Sequence, residues 1–342
     1  MSITPQQEPL AKESDGTLVD TWQRQINYLR ISVTDHCNLN CMYCSAGRIL
    51  PLKHEDILSY EEIARLVRVA AGMGITKVRL TGGEPLMRPD FPRLVKMIAD
   101  VEGIDDIAVT TNGILLGRFA EELKEAGLKR VNISLDTLKP DRFTQITRHD
   151  KFTDVMTGIE KAHEVGLEPV KINMVVLKGV NDDEVTDFAR KTIDDGWNVR
   201  YIEFMPIGTP NGEVSEMVTA GEIKERIREL GPLEPYDGLK GNGPARVFRF
   251  PGAKGTIGFI TAITEHFCAT CNRLRVTSDG SLRPCLLAED EISVKDALRS
   301  GAADKDLKKL IREAVNLKRK QHNLNGRLAA GTDDRPMCQI GG

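Results

Sequence analysis

The stretch Tyr28-Leu29-Arg30-Ile31-Ser32-Val33-Thr34-Asp35-His36-Cys37-Asn38-Leu39-Asn40-Cys41-Met42-Tyr43-Cys44 decides the fold. Leu29, Ile31 and Val33 point to one side and Arg30, Ser32 and Thr34 to the other, which predicts a strand with one polar face. Three thiols at C-x3-C-x2-C spacing follow it directly. A structural zinc site takes four protein ligands, and a plain ferredoxin-type cluster takes four thiolates. Three thiolates therefore suggest a four-iron cluster with one iron open to a small molecule. A zinc knuckle completed by His36 or by a distant group is the competing reading.

Outward from this stretch a strand-helix unit repeats. Ser59 and Glu62 form a capping box that opens a helix stopping at Gly72 to Gly74. Strand Lys77–Thr81 follows, then helix Asp90–Val101, strand Asp106–Thr110, helix Leu116–Ala126 and strand Arg130–Ser134. A short helical piece at Lys139–Thr147 leads to helix Phe152–Val165, strand Pro169–Val176, helix Asp183–Asp194 and strand Val199–Phe204. Such alternation predicts an α/β fold, a parallel sheet with helices outside. A closed barrel of this kind fills its interior with branched apolar side chains. Here one strand face instead carries Arg30, Lys77, Arg79, Asn132, Ser134, Lys171 and Asn173. Any one of these alone reads as a solvated strand edge; together they imply a ligand inside.

Past Pro206 the rhythm changes. A helix near Gly221–Leu230 is followed by a Gly/Pro-rich stretch and two short strand-like runs, Val247–Phe250 and Thr256–Ile260. Arg273–Val276, a Ser278-Asp279-Gly280 turn and Leu282–Leu286 read as a hairpin. Two helices close the region, the second at Asp304–Lys320, which reads as an extension packed on the open side of the barrel. The last residues, Arg335 to Gly342, show no helical or strand pattern. The expected divisions are a flexible segment 1–20, a core 21–215, an extension 216–330 and a tail 331–342.

The extension carries a second thiol set, Cys268 and Cys271, with Cys285 after a thirteen-residue gap. A zinc ribbon with His266 or Cys338 as fourth ligand is one reading. The two sets use six of the seven cysteines, so two structural zinc sites would each need an outside ligand, whereas two open-site clusters explain the shortfall twice. Thr81-Gly82-Gly83-Glu84-Pro85 ends the second strand, and its glycines let backbone come close to a ligand.

The chain has 342 residues, 40% of them hydrophobic and 28% charged, enough for a sizeable core, and a formal charge of −3. That charge argues against a general nucleic-acid binder. The first eighteen residues lack the apolar core of a signal peptide, and no run has the length of a membrane span, so a cytoplasmic protein is expected. In a reducing compartment grouped cysteines read as metal-binding or catalytic.

The C-x3-C-x2-C loop with Tyr43 before its last cysteine, and Gly-Gly-Glu-Pro at a strand end, resemble the radical S-adenosylmethionine enzymes. With C-x2-C-x13-C, the run Asn272-Arg273-Leu274-Arg275 and the terminal Gly341-Gly342, the chain resembles their GTP 3′,8-cyclase family over nearly its whole length. The resemblance implies an incomplete (βα)6 TIM-type barrel with a C-terminal extension carrying a second iron-sulfur cluster. It implies that Cys37, Cys41 and Cys44 hold one 4Fe-4S cluster and Cys268, Cys271 and Cys285 another. Tyr43, Gly83, Ser134 and Met205 would contact S-adenosylmethionine, and Arg30, Lys77, Arg79, Thr110, Lys171, Arg273 and Arg275 would contact GTP. The implied reaction is radical: a 5′-deoxyadenosyl radical takes hydrogen from C3′, and the ring closes on guanine C8, opening molybdenum cofactor synthesis. No side-chain acid or base is required, and Gly341 and Gly342 would reach the substrate. Implied partners are a one-electron donor such as a flavodoxin or ferredoxin and, downstream, cyclic pyranopterin monophosphate synthase, with the chain a monomer or homodimer. The alternatives are a related radical enzyme with an auxiliary cluster that modifies a peptide or another small molecule, and a structural zinc protein or iron-sulfur carrier. Cys338 has no place in the pattern.

Overall fold

A computed structural model describes residues 16–44, 51–207, 217–239, 243–322 and 335–341. The expected boundary at 215–216, and Gly342, lie outside the described residues. The six expected strands are β1 (Tyr28–Ser32), β2 (Lys77–Thr81), β3 (Asp106–Thr111), β4 (Arg130–Ser134), β5 (Lys171–Val176) and β6 (Asn198–Glu203). They are parallel and neighbours in sequence order. Between them run α1 (Tyr60–Ala71), α2 (Phe91–Ala99), α3 (Leu116–Glu125), α4 (Pro140–Thr147), α5 (Phe152–Glu164) and α6 (Val185–Asp194). The capping box of α1 is present: Glu62 N donates to Ser59 Oγ at 3.1 Å, and Ser59 N donates to Glu62 Oε2 at 2.7 Å. Such a cap stabilises a helix by about 1 kcal/mol.

Alternation along the strands creates two environments. Leu29, Ile31, Val78, Leu80, Val109, Ile133 and Met174 are buried in the core shared with the helices. Each contributes about 1.5–3 kcal/mol by leaving water. Arg30, Arg79, Asn132 and Lys171 occupy the alternate positions. Their neighbours across the sheet hold them on one face, since Arg30 pairs with Arg79, and Asn132 with Lys171.

The extension contains α7 (Ala220–Ile227), β7 (Glu234–Pro235), β8 (Arg246–Arg249), β9 (Thr256–Ile260), β10 (Arg273–Val276), β11 (Ser281–Arg283), β12 (Ile292–Ser293), α8 (Lys295–Arg299) and α9 (Asp304–Asn316). β10 and β11 form the expected antiparallel hairpin. The extension does more than pack on the open side, because β9 joins β6 and β10 joins β1, both in parallel. The resulting order, β12-β11-β10-β1-β2-β3-β4-β5-β6-β9-β8-β7, contains eight parallel strands. Among the described strands β9 and β10 do not pair with each other, so the wall stays open there. Residues 261–272 run down this seam from the end of β9 to the start of β10. Glu203 at the end of β6 holds their upper part, its Oε2 accepting from the N–H groups of Ile263 and Thr264 at 3.0 Å each.

Two expectations at the C-terminal side need correction. The last long helix ends at Asn316, not Lys320, because Lys318 turns inward: its Nζ donates to the carbonyls of Arg273 and Pro284 at 2.9 and 2.8 Å. The tail is not patternless, since Met337–Ile340 makes one helical turn, with Cys338 and Ile340 buried. No helix among the described residues is long and apolar enough to cross a membrane.

Candidate active site

The loop after β1 and the turn after β2 are built as one unit. Gly83 N donates to Thr34 O and Glu84 N to His36 O, each at 2.7 Å. A Cβ on Gly82 would lie 2.4 Å from Thr34 O, and one on Gly83 2.1 Å from His36 O. Only glycine permits so close an approach, so Gly82-Gly83 fixes the cysteine loop as well as facing the cavity. Glu84 is fully buried and accepts from Leu86 N (3.0 Å), Thr111 Oγ1 (2.8 Å) and Asn112 N (2.7 Å). Burial pushes this carboxyl up to about 7.

Around the first thiol trio, Asn112 Nδ2 approaches Cys37 Sγ at 3.9 Å and donates to Asn38 Oδ1 at 2.7 Å. Tyr43 OH donates to Asp136 Oδ2 at 2.5 Å, and Val175 N to Asp136 Oδ1 at 2.8 Å. Burial raises Asp136 to about 6 and Cys37 to about 12. Burial, then the Asp136 carboxylate, holds Cys41 well above the ordinary thiol range. Asn112 and Asp136 escaped the sequence reading. Asp136 was findable, since it lies two residues beyond Ser134 in the direction of the same strand face.

The second trio sits among cations. Cys268 opens a 3-10 turn, Cys271 precedes β10, and Cys285 follows β11. Arg24 Nη1 donates to Cys268 O at 2.6 Å, while Arg273 Nη2 and Lys318 Nζ approach Cys271 Sγ at 3.7 and 3.8 Å. Burial works to raise Cys271, but the charges of Arg273 and Lys318 outweigh it and bring the thiol down to about 6.

Both trios line one cavity of about 310 Å³ at the C-terminal ends of the strands. Tyr43, Gly83, Ser134 and Met205 also line it, as do Arg30, Arg79, Thr110, Arg273 and Arg275. Lys77 and Lys171 do not; they stand at the first residues of β2 and β5, deeper on the same face. Arg200, which the sequence reading left out, does line the cavity and donates to Asn132 Oδ1. Gly341 is beside the cavity: Arg275 Nη1 donates to its carbonyl, and a Cβ there would lie 2.7 Å from Thr81 Cγ2. With φ of 71°, this position suits glycine on conformational grounds too.

The cations repel one another. Burial, then the charge of Arg275 and of Arg79, holds Arg30 well below the ordinary arginine value. Burial followed by the charges of Arg200, Arg130 and Arg79 brings Lys171 down to about 6. Four polar atoms on the cavity wall are buried without a hydrogen-bond partner among the described residues: Arg79 Nε, Thr110 Oγ1, Asn173 Oδ1 and Arg200 Nε. Buried polar groups are ordinarily satisfied, so the two guanidinium N–H groups fit a polyanionic ligand, while Asn173 Oδ1, which only accepts, fits a hydroxyl or amine on the same ligand. None of the seven cysteines is in a disulfide. Among the described residues no group of three or more His, Cys, Asp or Glu side chains is arranged about a single metal ion. Two half-buried three-thiol sets on one cavity fit two polynuclear clusters.

The eight-stranded parallel wall surrounds a cavity with thiols at its rim, and residues 31–192, which supply β2 to β5 and the first trio, match the Radical SAM superfamily. Residues 197–324 match Molybdenum Cofactor Synthesis C. The structure of Streptococcus suis SuiB bound to S-adenosylmethionine shares the fold, with a TM-score of 0.61 at 17% identity over 84% of this chain and 68% of that one. The GTP 3′,8-cyclase of Moorella thermoacetica is 53% identical over 94% of this chain and 99% of its own length. That of Heliobacterium modesticaldum is 50% identical over 95% and 100%. The chain belongs to the GTP 3′,8-cyclase family of the radical SAM superfamily.

Proposed function

We infer that the chain converts GTP to (8S)-3′,8-cyclo-7,8-dihydroguanosine 5′-triphosphate, the first step of molybdenum cofactor biosynthesis. The observation that carries this reading is the inner face, where mutually repelling buried cations and orphaned polar atoms lie between two thiol trios. A triphosphate, with about four negative charges, relieves that repulsion. A neutral peptide does not, which disfavours a peptide-modifying enzyme.

In this reading the core, 21–215, holds the first 4Fe-4S cluster on Cys37, Cys41 and Cys44, and the extension, 216–330, holds the second on Cys268, Cys271 and Cys285. With S-adenosylmethionine bound, the first cluster supplies the one-electron cleavage that yields a hydrogen-abstracting radical. The protein's own work is placement. Tyr43, fixed by its bond to Asp136, stands with Gly83, Ser134 and Met205 against the S-adenosylmethionine. Arg30, Arg79, Thr110, Arg273 and Arg275 take the GTP, joined by Arg200, with Lys77 adding positive charge from below and Lys171, brought down to about 6 in the empty site, taking up a proton as the anion arrives. Met337 and Ile340 pack with Met205, Ile207 and Leu287 into an apolar cover that excludes water. A flavodoxin or ferredoxin would supply electrons, and cyclic pyranopterin monophosphate synthase would take the product, in the cytoplasm.

The test is to incubate anaerobically reduced protein with S-adenosylmethionine and GTP. We expect 5′-deoxyadenosine and the cyclised nucleotide in equal amounts, and no cyclised product from guanosine. Two zinc ions per chain without iron, or 5′-deoxyadenosine without loss of GTP, would overturn the reading.

A further inference from the structure

We propose that Cys338, which the reading above leaves unused, is an exchangeable fourth ligand of the cluster held by Cys37, Cys41 and Cys44, bound without S-adenosylmethionine and displaced by it. The proposal rests on that trio being a cluster site.

The tail delivers this thiol from a fixed position. On one side of the helical turn Arg335 forks onto Asp279, Nη1 to Oδ1 and Nη2 to Oδ2 at 3.0 Å each, with Glu291 Oε2 3.1 Å away. On the other side Ile340 is buried against Ile207 and Leu287, and the Gly341 carbonyl accepts from Arg275. Between these anchors Cys338 lines the cavity at 2% exposure, so it faces the site and not solvent. The turn packs on the end of β1 that leads into the first cysteine loop, where a Cβ on Gly341 would lie 3.1 Å from Ser32 Cβ, and the Cys338 side chain is hydrogen-bonded there to that of Cys44. All seven thiols line the cavity, and four of them, not three, therefore stand at its β1 end.

A four-iron cluster has a position for each of four thiolates. A thiol tethered in contact with a ligand thiol has an effective concentration that a free ligand in solution does not match. Coordination forms an Sγ–Fe bond and releases the thiol proton to solvent, with no change in cluster oxidation state. Arrival of the amino and carboxylate groups of S-adenosylmethionine breaks that bond, and Cys338 regains a proton.

The test compares wild type with Cys338→Ser and Cys338→Ala, all loaded anaerobically and first assayed for about eight irons per chain. Each is oxidised with ferricyanide in the absence of S-adenosylmethionine. A four-iron cluster lacking one thiolate sheds Fe2+ and gives one electron to ferricyanide, so [4Fe–4S]2+ becomes [3Fe–4S]+, which electron paramagnetic resonance counts. We expect about one three-iron centre per wild-type chain, from the second trio, and about two per variant chain. Adding S-adenosylmethionine beforehand should return the variants to about one. Equal yields in wild type and variants overturn the proposal and leave Cys338 as a packing thiol. Two centres from wild type alone also overturn it, whatever the variants do. Iron-free, zinc-loaded protein would instead overturn the cluster reading itself, so the two failures are distinct.

Discussion

Cys41 sits beside the Asp136 carboxylate, whereas Cys271 sits beside Arg273 and Lys318. The two trios thus have the same number of thiols on the same cavity in opposite electrostatic surroundings. In the cluster-free chain Cys37 and Cys41 of the first are held protonated, and metal must displace those protons. Cys271 is already largely thiolate at neutral pH. Net charge around an iron-sulfur cluster helps set its potential, so the cations would favour the reduced form of a cluster on the second trio relative to one on the first. Ligand count therefore does not define the two sites; their neighbours do.

The sharpest way to break this contrast is to remove one thiolate from each trio. Cys41→Ser should abolish 5′-deoxyadenosine formation, while Cys271→Ser should retain it and lose the cyclised product, both read by chromatography of the nucleosides. Equal behaviour of the two variants would erase the division of labour.

A second measurement is alkylation of the cluster-free chain with iodoacetamide at pH 7. Cys271, brought down to about 6, should react at least about a hundredfold faster than Cys37, raised to about 12. Its rate should climb through about pH 6 and level off above, and Lys318→Met should move that rise to higher pH. The stability consequence has a definite sign. Because the folded value lies below the ordinary 9.0, Cys271 contributes stability fully present above pH 9 and lost as pH falls through about 6.

Arg273 serves both the second trio and the cation face, so it tests whether the two are one site. Arg79→Ala and Arg273→Ala should each weaken GTP binding by about 1–3 kcal/mol, measured by calorimetry. Only the second should also slow Cys271 alkylation at pH 7. The smallest effect is expected from deleting Gly341 and Gly342. Conversion of GTP should fall while iron content and melting temperature stay unchanged; full activity would make this segment an ordinary frayed end.

Much of this was legible in the sequence, for reasons of range. β1 to β6, the α1 cap and the hairpin are set by alternation, helical periodicity and turn residues within ten or so positions. The parallel pairing of β9 with β6 and β10 with β1 leaves no local trace, because a strand of four or five residues does not encode its partner. Arg200 was readable and missed: it stands opposite Asn173 on a face already recognised as polar. Asn112 was not, since its place near Cys37 depends on how the turn after β3 meets a loop seventy-five residues earlier. A four-residue helical turn such as Met337–Ile340 is too short for periodicity, and only its burial against Ile207 and Leu287 reveals it.

The unpaired seam between β9 and β10 bears on how the protein is made. A wall sealed all round would leave only its ends for iron and sulfide to reach the thiols. A wall that is open along one side can finish folding while empty and be filled later through the gap, with Cys268 and Cys271 on the very segment that runs along it. Synthesis and loading are then separable in time, and an empty stock of folded chains can wait for its metal.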